Sequence, residues 1–194
     1  MTTAKKTTRT TTRKPRSKAA STAKKKTTST KPRSVTVKKI ELLPNALVHE
    51  ILAAVVAERT KAKKIDILQK HGGDFLKSLF IWNYDDTIVS MIPEGDVPYQ
   101  PLDLEAAPDP KKGIPSRSTL RNEWKRLYNF VKGGNDALNK IKRESMFINM
   151  LESIHPEEAK ILCLVKDKSL HTLYPINREV VSEAYPDIKW GGRS

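Results

Sequence analysis

Asp109, Glu123 and Lys125 are residue types that can hydrolyse a phosphodiester: two carboxylates hold Mg²⁺ and a lysine orients the attacking water. Such a site needs its side chains on adjacent strands. Here Glu123 and Lys125 lie inside a strongly helical pattern and point in different directions, so no enzyme is expected. His155 and Glu158 share the spacing of one helix face, which would suit two metal ligands, but no second pair accompanies them. A capping or exposed role is expected for His155, and no metal or other cofactor for the chain. Cys163 lies in the apolar run Ile161, Leu162, Leu164, Val165, which keeps a thiol protonated and unreactive. There is no phosphate-cradling loop or glycine fingerprint.

What remains is affinity for phosphate. Residues 1–39 hold 14 Lys or Arg and no Asp or Glu, out of 36 basic and 22 acidic residues in the whole chain. Removing them leaves 22 basic residues against 22 acidic ones, so the entire net charge of +14 sits in this arm. Lys14-Pro15-Arg16-Ser17 recurs as Lys31-Pro32-Arg33-Ser34, with Lys24, Lys25 and Lys26 between them. Proline after lysine disfavours helix and keeps each cluster extended, a form suited to tracking a phosphate backbone. Lys14, Arg16, Lys24, Lys25, Lys26, Lys31 and Arg33 are therefore the expected phosphate contacts. Cations on a flexible chain read no base sequence. Other polyanions, or acidic protein surfaces, are the alternative partners.

Twelve Thr, four Ser and few apolar residues cannot offset the entropy of ordering residues 1–39, so this arm is expected to be disordered. Residues 40–194 carry most of the Leu, Ile, Val and aromatic side chains and have the length of one ordinary domain. A single cysteine suits a reducing compartment. No apolar stretch approaches the roughly 18 residues of a membrane span, and no membrane partner is expected. The N-terminus lacks the apolar run of a secretory signal, and it has no Leu or Phe at the spacing of a transit peptide.

The pattern of residues 40–194 predicts a mainly α fold, one compact helical domain of about six or seven helices. Asn45 is placed to cap a first helix, with Leu47, Val48, Ile51, Leu52, Val55 and Val56 on one face. A second runs over 61–71 and stops at Gly72-Gly73. Asp74 is placed to cap a third, and Ile88–Ile92 suits a short strand. Residues 93–117 hold six prolines and five acids. They are expected to form a solvated linker between two helical subdomains, or else an acidic shield for the arm. A helix is expected over 118–132, with Leu120, Trp124, Leu127, Tyr128 and Val131 as an apolar stripe. Arg117, Arg121, Lys125 and Lys132 form a basic stripe beside it. Cations beside aromatics suit a single-strand binder, which makes Arg117, Arg121 and Lys125 candidate contacts. The plainer expectation is that Trp124 and Tyr128 are core residues with Lys and Arg stems over their edges. Asn135 is read as starting the next helix, running to Ser153 as the central core helix. Pro156-Glu157-Glu158 opens another, over 156–167. A short one follows from Asn177 to Ala184. The connector between these last two is too long for a helix-turn-helix.

Residues 46–194 resemble an uncharacterised family of small proteins from tailed phages, especially myovirus-type phages of marine cyanobacteria. The stretches that carry the resemblance are IPEGDVPY (92–99), LRNEWKRLYNFVKGG (120–134), RESMFINMLESIHPEEAKILCLVKDKSLHTLY (143–174), VVSEAYPDIKWGGRS (180–194) and TKAKKIDIL (60–68). The resemblance implies a phage product in the host bacterial cytoplasm or in the virion. It implies no functional residues. The expectation is a non-enzymatic phage accessory protein that binds nucleic acid, DNA first, through its arm. The alternative is a virion or assembly protein whose helical domain docks on another phage protein. The oligomeric state is not legible.

Overall fold

The computed structural model describes residues 42–104 and 118–191, and their regular elements are helices. The fold is mainly α. The arm residues from Lys14 to Arg33, and Arg117, lie outside the described residues.

Helix α1 (Val48–Ala57) buries Val48, Ile51, Leu52 and Val55, the expected face. Its cap position is Leu47, not Asn45, because a Pro44–Asn45 turn delays the helix, with the Ala46 N–H donating to the Leu43 carbonyl at 3.0 Å. Helix α2 (Lys61–His71) buries Leu68 alone, so it covers an edge of the core. It stops at Gly72, whose N–H donates to the Leu68 carbonyl at 2.9 Å. A side chain at Gly72 would collide with that carbonyl and with the Tyr185 hydroxyl, which donates to the same carbonyl at 2.7 Å. This close approach fastens α2 to the end of α7 (Arg178–Ala184).

Helix α3 (Asp74–Tyr84) buries Phe75, Leu76, Leu79, Phe80 and Trp82. Gly73 holds the cap position and Asp74 is the first helical residue, so Asp74 acts through its charge at the positive end and not as the cap. The expected strand at 88–92 reduces to one antiparallel bridge between Ser90 and Val131. Beyond it, buried Lys166 donates to the carbonyls of Pro93 and Gly95, both at 2.9 Å. The Gln100 N–H donates to the Glu152 carboxylate at 3.1 Å. The first part of the proline-rich stretch is thus tied to the helices that follow it. It does not join two subdomains, because a single core cluster takes side chains from both sides of it.

The helix expected over 118–132 is a four-residue α4 (Leu120–Glu123) followed by a seven-residue 3-10 helix (Trp124–Phe130). Helix α5 (Lys140–Ser153) begins five residues later than expected, capped by Asn139, whose side chain accepts from the Ile141 N–H at 2.9 Å. Asn135 is occupied elsewhere, donating to the Asn129 side chain at 2.8 Å. Helix α6 (Pro156–Lys166) contacts α1, α3 and α5, whereas α5 meets α6 and the 3-10 helix. The central helix is therefore α6 and not α5, with Ala159, Ile161, Leu162 and Val165 buried. At the far end of the core, Trp82 stacks near Phe130 (centroids 6.4 Å apart), and Phe130 meets the edge of Phe147 at 5.1 Å. Burying each of these rings contributes roughly 1.5–3 kcal/mol.

Candidate nucleic-acid interface

The segment 118–134 carries the candidate contacts of the domain, and its backbone decides what they do. In an α-helix, successive side chains turn by about 100°. In a 3-10 helix, residues three apart eclipse. The change at Trp124 puts Trp124, Leu127 and Phe130 in one row, of which Leu127 and Phe130 are buried and Trp124 packs partly on the core. Tyr128 leaves that row and stands 53% exposed, where the α-helical stripe would have turned it inward. Seven residues is long for this geometry, so other groups must hold it. Glu123 accepts from Ser118 at 2.7 Å and from Arg126 at 2.8 Å, an i,i+3 pair that the 3-10 turn brings into line. The buried Arg143 side chain donates to the carbonyls of Asn129 (2.8 Å) and Asn135 (2.9 Å), fixing the helix end and the turn after it. Gly134 then folds back so closely that a Cβ there would strike the Tyr128 carbonyl.

Between this segment and α3 lies an open groove of about 280 Å³. Ile81, Trp82 and Ile88 form one side of it, and Trp124, Leu127 and Tyr128 the other. The Lys125 ammonium lies 5.9 Å from the centre of the Trp124 ring. No lining residue is acidic. Trp82 Nε1 is buried without an acceptor among the described residues.

The expected basic stripe is not one surface. Arg121 is drawn inward, donating to the Ala46 carbonyl at 3.1 Å, with its guanidinium carbon 4.4 Å from the centre of the Phe75 ring. Lys125 and Lys132 are exposed. Of the candidate contacts within the described residues, Lys125 borders the groove and Arg121 ties α4 to the start of α1 and α3.

The second cluster of chemically capable residues lies where three helices begin. Glu158 is fully buried and takes the Val48 N–H on one carboxylate oxygen and the Leu120 N–H on the other, at 2.8 and 2.9 Å. Those N–H groups open α1 and α4, while Glu158 itself sits in the first turn of α6. Each helix start presents unpaired donors and a positive dipole end, and one carboxylate answers both. His155 caps α6, its Nδ1 accepting from the Glu157 N–H at 3.2 Å, and its ring stacks on His49 with centroids 4.5 Å apart. Burial, with His155 beside it, holds the His49 imidazole below its usual range. Among the described residues no group of three or more His, Cys, Asp or Glu is placed to hold a metal. Burial pushes the Cys163 thiol up to about 11, which keeps it protonated.

Of the hydrolytic trio, Asp109 lies outside the described residues, and Glu123 spends its carboxylate on Ser118 and Arg126. The Glu158 junction and the Arg143 clamp were not legible as such. The sequence signal for the first was the His155-Pro156-Glu157-Glu158 helix start, which shows a carboxylate near a dipole but not whose donors it meets.

A family model spans residues 51–172, from within α1 to the 3-10 turn Leu170–Thr172. The chain belongs to DUF6433, a family of unknown function. No curated protein and no solved structure matches the chain. The DUF6433 region includes every groove residue and the Glu158 and His155 end of the junction, and it leaves out the basic arm.

Proposed function

We propose that this DUF6433 protein binds nucleic acid without marked sequence preference through the cationic residues of 1–39, as a non-enzymatic accessory protein of a tailed phage. The observation that carries the reading is the segregation of charge: 14 basic and no acidic residues in 1–39, with the remaining 22 and 22 in balance. A polycation of this kind gains affinity by releasing counterions from phosphate, which requires no fold and gives no base readout. The phage setting is supported by the resemblance of the stretches at 92–99, 120–134 and 143–174. Co-purification with mature particles would move the reading to a virion protein whose arm grips packaged DNA.

The test is a salt series with short duplex DNA. The full chain should show a steep log–log slope, about −0.9 for each phosphate neutralised. Replacing Lys14, Arg16, Lys24, Lys25, Lys26, Lys31 and Arg33 together by Gln should flatten that slope by several units. A slope unchanged by the seven substitutions would remove the arm from the mechanism.

A further inference from the structure

The groove between α3 and the 3-10 helix is open, and its volume of about 280 Å³ lies just below the roughly 300 Å³ at which small-ligand sites begin. Its walls are aromatic and aliphatic, and its charge is of one sign. Lys125 lines it, and exposed Lys132 follows directly on the lining residue Val131. Neither lysine has a carboxylate partner among the described residues. Apolar walls alone would accept any apolar group, but exposed cations at the rim select a flat apolar group that carries an anion. Nucleic acid offers that combination as base and phosphate, and only an unpaired strand presents the face of its base.

Tyr128 separates this groove from ordinary core. Leu127 and Phe130 beside it are buried, yet Tyr128 is held half in solvent by the backbone: by the 3-10 turn, and by Gly134 packed against its carbonyl. An aromatic face kept exposed at the edge of an apolar groove, with a lysine next to it, is the arrangement of a stacking platform. We propose that the groove takes an unpaired nucleobase, stacked on Tyr128 and Trp124, with Lys125 on the adjoining phosphate. The inference rests on the nucleic-acid reading above and adds to it a preference for single strands over duplex.

The experiment uses the full chain with short oligo(dT) at salt raised until the arm's contribution is screened, and with a blunt duplex of equal length at low salt, where the arm binds. Tyr128→Ala should weaken oligo(dT) binding about tenfold and leave duplex binding unchanged. Tyr128→Phe, which keeps the ring, should bind as the unmodified chain does. Lys125→Ala should flatten the single-strand salt slope by about 0.7. If Tyr128→Ala and Lys125→Ala bind oligo(dT) like the unmodified chain, or weaken single strand and duplex equally, the groove is no base site. Duplex binding through the arm would survive that result. Failure of the full chain to bind either nucleic acid at low salt would instead overturn the arm reading, and the groove with it.

Discussion

The junction at Glu158 and the groove beside Trp124 both involve the segment 118–131, and they treat polar groups in opposite ways. At the junction a fully buried carboxylate has both oxygens engaged, by donors 110 and 38 residues away in sequence. Beside the groove, Tyr128 and Lys125 face solvent, and among the described residues no carboxylate answers the lysine. Satisfied buried polar groups fix an architecture, whereas exposed unsatisfied ones are free to meet a ligand. The first region should therefore respond to substitution in stability, and the second in binding.

The largest effect is expected at Glu158. Glu158→Ala strips the acceptor from two buried N–H groups, each costing about 1–3 kcal/mol when left unpaired. A total loss of about 2–6 kcal/mol is a large share of ordinary domain stability. Glu158→Gln keeps one acceptor oxygen but turns an NH₂ toward the other donor, so it should fall between. Denaturant unfolding followed by circular dichroism measures both. A midpoint for Glu158→Ala close to that of the unmodified chain would show that the helix starts do not depend on this carboxylate.

That same junction explains where sequence was sufficient and where it was not. Helices α2 and α6 were legible to within a residue because local punctuation sets their ends: Gly72-Gly73 for one, His155-Pro156 for the other. The cap of α1 was misplaced at Asn45 because the group that answers its first N–H comes from α6, and no local spacing reports it. The start of α5 was misplaced for a related reason. Asn135 and Asn139 are both good caps, and Asn135 is drawn away by Asn129 and Arg143. The segment 118–132 failed differently. Its apolar residues fit a period of 3.6, but Leu127 and Phe130 fit a period of three as well, and tertiary clamps chose between the two. That choice moved Tyr128 from the core to the surface, so the candidate site was legible in its residue types and not in its exposure.

An intermediate effect is expected from acid. The His49 imidazole is held below its usual value of 6.5, first by burial and then by His155, although Glu50, Glu158 and Glu157 pull the other way. As pH falls, the unfolded chain therefore takes this proton before the folded one. Stability is complete above about 6.5 and declines below it, toward the lowered folded value. Unfolding midpoints measured from pH 7.5 to 5 should fall. His49→Gln should make that fall shallower without reaching the loss seen in Glu158→Ala. Midpoints that stay level over this range would show that His49 carries no pH dependence.

The smallest effect on stability, and the one that sharpens the contrast most, belongs to Tyr128. The residue is more than half exposed, and the backbone under it is held by Arg143, Glu123 and Gly134 without help from the side chain. Tyr128→Ala should therefore shift stability by no more than about 0.5 kcal/mol, the range of ordinary surface changes. Gly134→Ala makes the complementary probe, because its Cβ would displace the Tyr128 carbonyl and disturb the 3-10 turn itself. That variant should unfold earlier while the Tyr128 ring is still present. If Tyr128→Ala proves as destabilising as Gly134→Ala, the ring is a structural element, and its exposure at the groove would no longer speak for a ligand.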